Sequence, residues 1–78
     1  MTKIYVMVAT EPGRTKAVVR ALMEVPEVRE LHEVFGPYDV VLKVETGSLD
    51  AFTTLLAAKI RNIPGIESTT SLVTLPDR

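Results

Sequence analysis

Cysteine is absent from the 78 residues, and histidine occurs once. The chain therefore has no thiol for a disulfide, a thiolate metal site or a nucleophile, and a zinc site would need several carboxylates. No apolar run approaches the roughly 20 residues that span a bilayer. The net charge is −1 and the charged residues are interspersed, so no basic stripe offers a nucleic-acid backbone a binding surface. We expect no metal or other cofactor, no membrane span and no direct DNA contact.

A signal peptide is also missing from the sequence, because the first residues enter a strand-like pattern without an apolar core or a small-residue cleavage site. Cytoplasmic location is the expectation that follows. Apolar residue types, in contrast, make up 46% of the chain. A domain this small exposes much of its surface, so this fraction predicts that other copies of the chain cover part of it.

The two halves of the chain resemble each other. When the chain is aligned with itself at an offset of 38 residues, Ile4 and Val6 align with Leu42 and Val44. The dipeptide Val-Pro at Pro26 then aligns with the dipeptide Ile-Pro at Pro64. Such an echo is typical of a duplicated supersecondary unit, here predicted to be strand, helix, strand. Alternation and turn residues predict strands over about Lys3–Ala9, Val28–Phe35, Asp39–Glu45 and Ile66–Leu75, before a polar tail.

Two amphipathic helices are predicted between these strands. The first opens after Pro12-Gly13, ends at Pro26 and turns three apolar side chains inward, which are Val18, Leu22 and Val25. The second begins at Ser48, a residue suited to capping free amides, and ends at Pro64-Gly65. Its core stripe is predicted to comprise Leu49, Phe52, Leu56, Ile60 and Ile63.

The predicted order βαββαβ, with right-handed crossovers, indicates an α+β fold of the ferredoxin-like kind. This fold is a four-stranded antiparallel sheet with two helices on one face. Tyr5 and Met7 point to the other, open face, and one choice of parity for the last strand adds Val73 and Leu75. We expect a second subunit on this open face, which would make a dimeric α+β barrel.

His32 is the sole imidazole and the natural proton-transfer residue if the chain is a small enzyme of the dimeric α+β-barrel kind. Glu30 and Glu33 fall on opposite faces of its strand, so no obvious catalytic dyad forms. The pattern favours an exposed or interface histidine instead.

Asp39 follows the turn Gly36-Pro37-Tyr38 and could bind a ligand ammonium or its own turn amides, the latter being favoured on the residues alone. The hydroxyl run of residues 68–71 offers a neutral site for a small carboxylate. High β propensity of threonine explains the same run more simply. Both alternatives stay open at this point.

Three segments of the chain resemble the effector domain of Lrp/AsnC transcription regulators. Residues 34–44, with their Gly-Pro-Tyr-Asp turn, resemble the central motif of that domain. Residues 63–73, in which Pro-Gly leads into a Thr-rich strand, resemble its closing motif, and Pro26-Glu27-Val28 matches the segment before the second strand. The segments occur in the family's order and together cover essentially the whole chain.

The resemblance implies a non-enzymatic domain (RAM domain) over residues 1–78 that senses amino acids, dimerises through its sheet and assembles into octamer-like rings. It implies ligand binding at subunit contacts, by Gly36, Tyr38, Asp39, Thr69, Thr70 and Ser71. Regulators of this family carry a helix-turn-helix domain ahead of this one, whereas this sequence starts at the first effector-domain strand. We therefore expect no DNA-binding domain and regulation through a partner, such as a full-length regulator. A purely structural oligomerisation module is the remaining alternative.

Overall fold

One antiparallel sheet with the strand order β2-β3-β1-β4 organises the molecule. The computed structural model describes residues 1–75, so the predicted polar tail after Leu75 lies outside the described residues. The strands are β1 (Thr2–Thr10), β2 (Val28–Glu33), β3 (Val40–Thr46) and β4 (Ile66–Val73). The helices are α1 (Thr15–Met23) and α2 (Leu49–Leu55), and a π-helical turn, Leu56–Ile60, continues α2. The ferredoxin-like α+β fold predicted from the sequence is confirmed.

The core lies between the sheet and the helices and is entirely aliphatic apart from one phenylalanine. Alternate residues of the two central strands face it, because side chains alternate across a strand. They pair across the β1–β3 ladder as Ile4 with Val44, Val6 with Leu42 and Val8 with Val40, and all six are fully buried. The helices contribute Val18, Leu22, Phe52, Leu55 and Ile60, with Val25 just beyond α1.

The apolar stripe predicted for the second helix includes one wrong residue and omits another. Leu49 is 49% exposed, and Leu55, which was not predicted, is buried. Leu56 packs against the core as predicted but is only partly buried. The π-helical turn explains the difference, since the amide of Arg61 donates to the carbonyl of Leu56, five residues back, at 2.9 Å. This wider turn adds a residue to the helical repeat, so Leu55 and Ile60 share the inward face.

Two strands are shorter than the sequence predicts. β2 ends at Glu33, because the amide of Val34 donates to the carbonyl of Asp39 at 2.9 Å and closes a loop over residues 34–39. Phe35, predicted as the end of this strand, is in the loop and exposed. β4 ends at Val73, two residues before Leu75.

The predicted parity of β4 is also wrong. Leu72 is paired with Tyr5, and Val73 with the buried Ile4. Directly paired residues share a face, so Leu72 lies on the open face with Tyr5 and Met7, whereas Val73 lies on the helix side. The run of hydroxyls gives no alternation from which this register could be read, and the pairing shifts by one residue between Ala9 and Thr10.

Candidate ligand-binding site

Two of the predicted site residues meet on the open face of the sheet. The Tyr38 hydroxyl lies 3.2 Å from the Thr70 hydroxyl, and the contact is partly buried. Because β1 lies between β3 and β4, the Tyr38 side chain must cross β1 to reach Thr70. Asp39 follows Tyr38 directly in the chain. We call these three residues the Tyr38 corner.

Asp39 in this corner is tied to the neighbouring strand. Its Oδ2 accepts a hydrogen bond of 2.8 Å from the backbone amide of Thr10, in β1 opposite the bulge of β4. The sequence favoured a bond to the turn's own amides, and the partner is instead a residue remote in the chain. This bond fixes the carboxylate through its Oδ2.

Gly36 lies in the exposed loop beside the corner. A Cβ added to it would meet nothing within 4 Å, and its φ lies outside the left-handed region. Nothing within the described chain therefore requires glycine here. The space beside Gly36 is open to a second molecule.

Thr69 and Ser71 are on the other side of β4, away from the Tyr38 corner. Their partners across the ladder are Val8 and Val6, whose side chains are buried on the helix side. Both line a surface cleft of about 440 Å³ between the π-helical turn and β4. The remaining residues of this β4 cleft are Leu56, Arg61, Ile66, Glu67 and Ser68.

The six predicted residues therefore divide between two places. Tyr38 and Thr70 come together at the corner, with Asp39 next in the chain and Gly36 in the same loop, and the other two line the β4 cleft. Sequence reasoning missed Arg61, which gives that cleft a cation. The shifted register of the π-helical turn determines its position, and no motif in the sequence marks such a turn.

His32 belongs to a chain of polar side chains on the open face. Its Nε2 is 3.5 Å from Glu30 Oε1, and Glu30 Oε2 is 3.4 Å from Lys43 Nζ. These hydrogen bonds, from His32 and then Lys43, lower the pKa of Glu30 below its ordinary value. The same carboxylate raises the pKa of Lys43. Glu33 points to the helix side instead, opposite Val40, as the sequence predicts.

Metal and membrane roles gain no support from the described part of the chain. Among residues 1–75, no three histidine, aspartate or glutamate side chains converge in a way that could hold a metal ion. None of the helices in that range has the length and apolar character needed to cross a membrane.

Comparison with known proteins gives both relatives and a close structural match. The transcriptional regulator FL11 of Pyrococcus horikoshii is 31% identical over 71 residues, which are 91% of this chain and 46% of FL11. The proline dehydrogenase transcriptional activator of Rhizobium radiobacter is 31% identical over 55 residues, covering 70% of this chain and 35% of that protein. This chain thus spans less than half the length of either relative.

The crystal structure of the hypothetical protein PHS023 from Pyrococcus horikoshii superimposes with a TM-score of 0.91 at 31% identity. The match covers 99% of this chain and 93% of PHS023. The fold and its relatives define the class, which is a regulator's ligand-binding domain.

Residues 3–76 match the family model described as the Lrp/AsnC ligand binding domain. The chain belongs to this family, which is regulatory and not enzymatic. The enzyme alternative that rested on His32 is therefore excluded.

Proposed function

We propose that the chain is an amino-acid sensor that binds its effector where copies of the chain meet and regulates amino-acid metabolism or transcription through a partner. Family membership supports a ligand-binding role. The name of the Rhizobium radiobacter relative, an activator of proline dehydrogenase, links that protein to the control of an amino-acid enzyme. The effector class proposed for this chain follows from that link.

The first element of the proposal is a dimer through the open face of the sheet. Tyr5 and Leu72 lie side by side there and are substantially exposed, and Met7 and Val41 extend the same apolar area. Contiguous apolar surface of this kind marks an interaction site. A second copy presents the same surface and covers it by two-fold symmetry, without any further sequence.

The second element is the Tyr38 corner as the ligand site, and the observation that carries it is the 3.2 Å contact between Tyr38 and Thr70 beside Asp39. Asp39 uses Oδ2 for the Thr10 amide, which leaves Oδ1 to accept from the ligand ammonium. The two hydroxyls can donate to the ligand carboxylate. The open space at Gly36 admits a neighbouring copy, which would enclose the ligand's side chain.

The third element is the coupling of binding to assembly. A ligand enclosed between two copies has its full set of contacts only in the assembled state, so its binding favours that state. The same free energy couples assembly to ligand affinity in the reverse direction. Rings of dimers, up to the octamer of the sequence-based expectation, are the assembly that we propose the ligand to regulate.

The partner that we propose is a full-length regulator of the same family. Such a protein carries a domain of this fold, and two matching sheet faces can form a mixed dimer as readily as a pure one. In this arrangement the partner contacts DNA and the present chain contributes ligand response, without direct DNA binding of its own.

Calorimetry against the standard amino acids tests the proposal. We expect at least one to bind, and Asp39→Asn to weaken it about 10- to 100-fold, since a hydrogen bond to a charged group is worth roughly 1.5–3 kcal/mol. Asparagine retains an oxygen for the Thr10 amide, so unfolding in urea should change little. Thr70→Val should also reduce affinity, whereas Thr69→Val, the next residue on the opposite face, is the matched control.

If no amino acid binds at millimolar concentration, the sensor proposal fails. Light scattering then tests the remaining alternative, a structural oligomerisation module. The mass of such an assembly stays the same whatever small molecule is added. A ligand that responds to Thr69→Val and not to Thr70→Val would move the site to the β4 cleft.

A further inference from the structure

Phe35 is the most exposed large apolar side chain in the described structure. At 108% relative exposure it touches essentially nothing in its own chain. It stands in the loop after β2, beside Val34, which is also exposed, and the loop residues Val34–Pro37 carry no charge. An aromatic ring held in water by a short loop is the kind of group that anchors a protein interface.

A cleft with matching chemistry lies along the first four residues of β2. This α1–β2 cleft encloses about 320 Å³ and is lined by Met23, Val28, Arg29, Glu30 and Leu31. Met23 at its mouth is 68% exposed. A thioether and a guanidinium both pack favourably against an aromatic ring, and the two aliphatic side chains offer an apolar surface.

Phe35 cannot fill the cleft of its own chain. The ring is fully exposed, and Leu31, the cleft residue nearest to it in the chain, is four residues away in a strand that rises by about 3.3 Å per residue. We propose that Phe35 of one copy inserts into the α1–β2 cleft of the next, head to tail. This inference rests on the assembly put forward under the proposed function and names the residues that build it.

Charge supports a second copy as the occupant of the cleft. Glu33, at the base of the loop, is exposed and lies 4.0 Å from Lys16. Arg29, at the cleft, is exposed and 3.8 Å from Glu45. Insertion of the loop brings the Glu33 carboxylate toward the Arg29 guanidinium, so the two surfaces match in sign as well as in polarity.

The contact also explains how dimers become a larger assembly. A head-to-tail interface generates a closed oligomer when its rotation closes. Each dimer formed through the open face carries two exposed Phe35 side chains and two α1–β2 clefts. Phe35 is three residues from Tyr38, so a second copy that binds Phe35 in its cleft lies beside the proposed ligand site.

Cross-linking in a cysteine-free chain tests this directly, because every thiol is then an introduced one. Gly36→Cys and Glu24→Cys stand at exposed positions next to Phe35 and Met23 and leave both side chains in place. The two variants are made separately, mixed as assembled proteins under conditions that allow subunit exchange, and treated with a short bis-maleimide. We expect a product joining position 36 to position 24, several-fold more abundant than any product from either variant alone. Equal cross-linking of Gly36→Cys with itself, or none in the mixture, would overturn the head-to-tail contact.

Sedimentation velocity without added amino acid gives the second readout. Phe35→Ala and Met23→Ser should each weaken assembly beyond the dimer about 10- to 100-fold, the effect of exposing one large apolar side chain. Leu49→Ala, an exposed leucine on α2, should leave it unchanged. A wild-type chain no larger than a dimer, or variants that assemble like wild type, would contradict the proposal. Since no ligand is present, these results are independent of whether amino acids bind at Asp39.

Discussion

Asp39 shows how one carboxylate can hold the fold and still be available to a ligand. Its bond to the Thr10 amide spans 29 positions of the chain, joining the end of the β2–β3 loop to the last residue of β1. A turn motif in the sequence indicates only hydrogen bonds between neighbouring residues. It therefore identified Asp39 as important but could not predict its bond to Thr10. The same limit applies to Tyr38, whose contact with Thr70 depends on strand order.

Gly65 is the glycine at which an added side chain would be most strained. Its φ is +99°, and an added Cβ would lie 2.8 Å from Arg14 Cβ and 3.1 Å from Val18 Cγ2. Arg14 Cβ is attached to the backbone and cannot rotate away. We predict that Gly65→Ala lowers the free energy of unfolding by roughly 1–3 kcal/mol, from strain and from the close contact.

Urea unfolding checks this prediction. Gly47→Ala is the matched control, because its φ is not left-handed and a Cβ there meets nothing within 4 Å. The control should change stability by no more than about 0.5 kcal/mol. Equal effects at the two glycines would show that the junction between β4 and the first turn of α1 is looser than described.

At the scale of elements, the second helix separates two neighbouring leucines. We predict that Leu55→Ala destabilises the protein by about 2–5 kcal/mol, since it empties a buried position. Leu56→Ala, at the partly buried position favoured by regular helical spacing, should cost only about 1 kcal/mol. Thermal unfolding of both variants decides the matter, and the opposite ranking would mean that the helix is regular and has no π-helical turn.

The chain of polar side chains on β2 and β3 makes a prediction about pH. His32→Ala removes the first of the two hydrogen bonds that lower the pKa of Glu30, so this pKa should rise toward its ordinary value. The stabilisation from the lowered pKa is present above the ordinary value and is lost as the pH falls through the lowered one. Carboxyl NMR titration measures the change.

Lys16→Met is the control for this titration, since Lys16 contacts Glu33 on the other face. It should leave the pKa of Glu30 where it is. A Glu30 pKa unchanged by His32→Ala would show that the contact between the two side chains, 3.5 Å long, does not persist in solution.

The elements themselves were largely predictable from the sequence. Alternation in β1 and β3 gave the core-facing residues of both strands correctly, because Ile4, Val6 and Val8 repeat every second residue. β4 failed because its hydroxyl run has no such repeat, so neither face could be recognised. The structure was therefore needed to show that Thr69 and Thr70 lie on opposite faces of β4.

At the scale of the whole molecule, the open face is divided. Toward β2 it carries the ion pair of Glu30 and Lys43 with His32 beside it, and toward β4 it carries Tyr5, Met7 and Leu72. Desolvating charged pairs is costly, whereas covering apolar groups is favourable. A second copy should therefore centre on the apolar half and leave the charges near the rim.

Leu72 and Val73 allow a paired test of this account, because they are adjacent and similarly exposed, at 53% and 45%, but lie on opposite faces. Sedimentation equilibrium at micromolar concentration should show the wild-type chain and Val73→Asp as dimers or larger, and Leu72→Asp as a smaller species with intact secondary structure. A wild-type chain that sediments as a folded monomer, or two aspartate variants that behave alike, would contradict the claim that a second copy covers the open face.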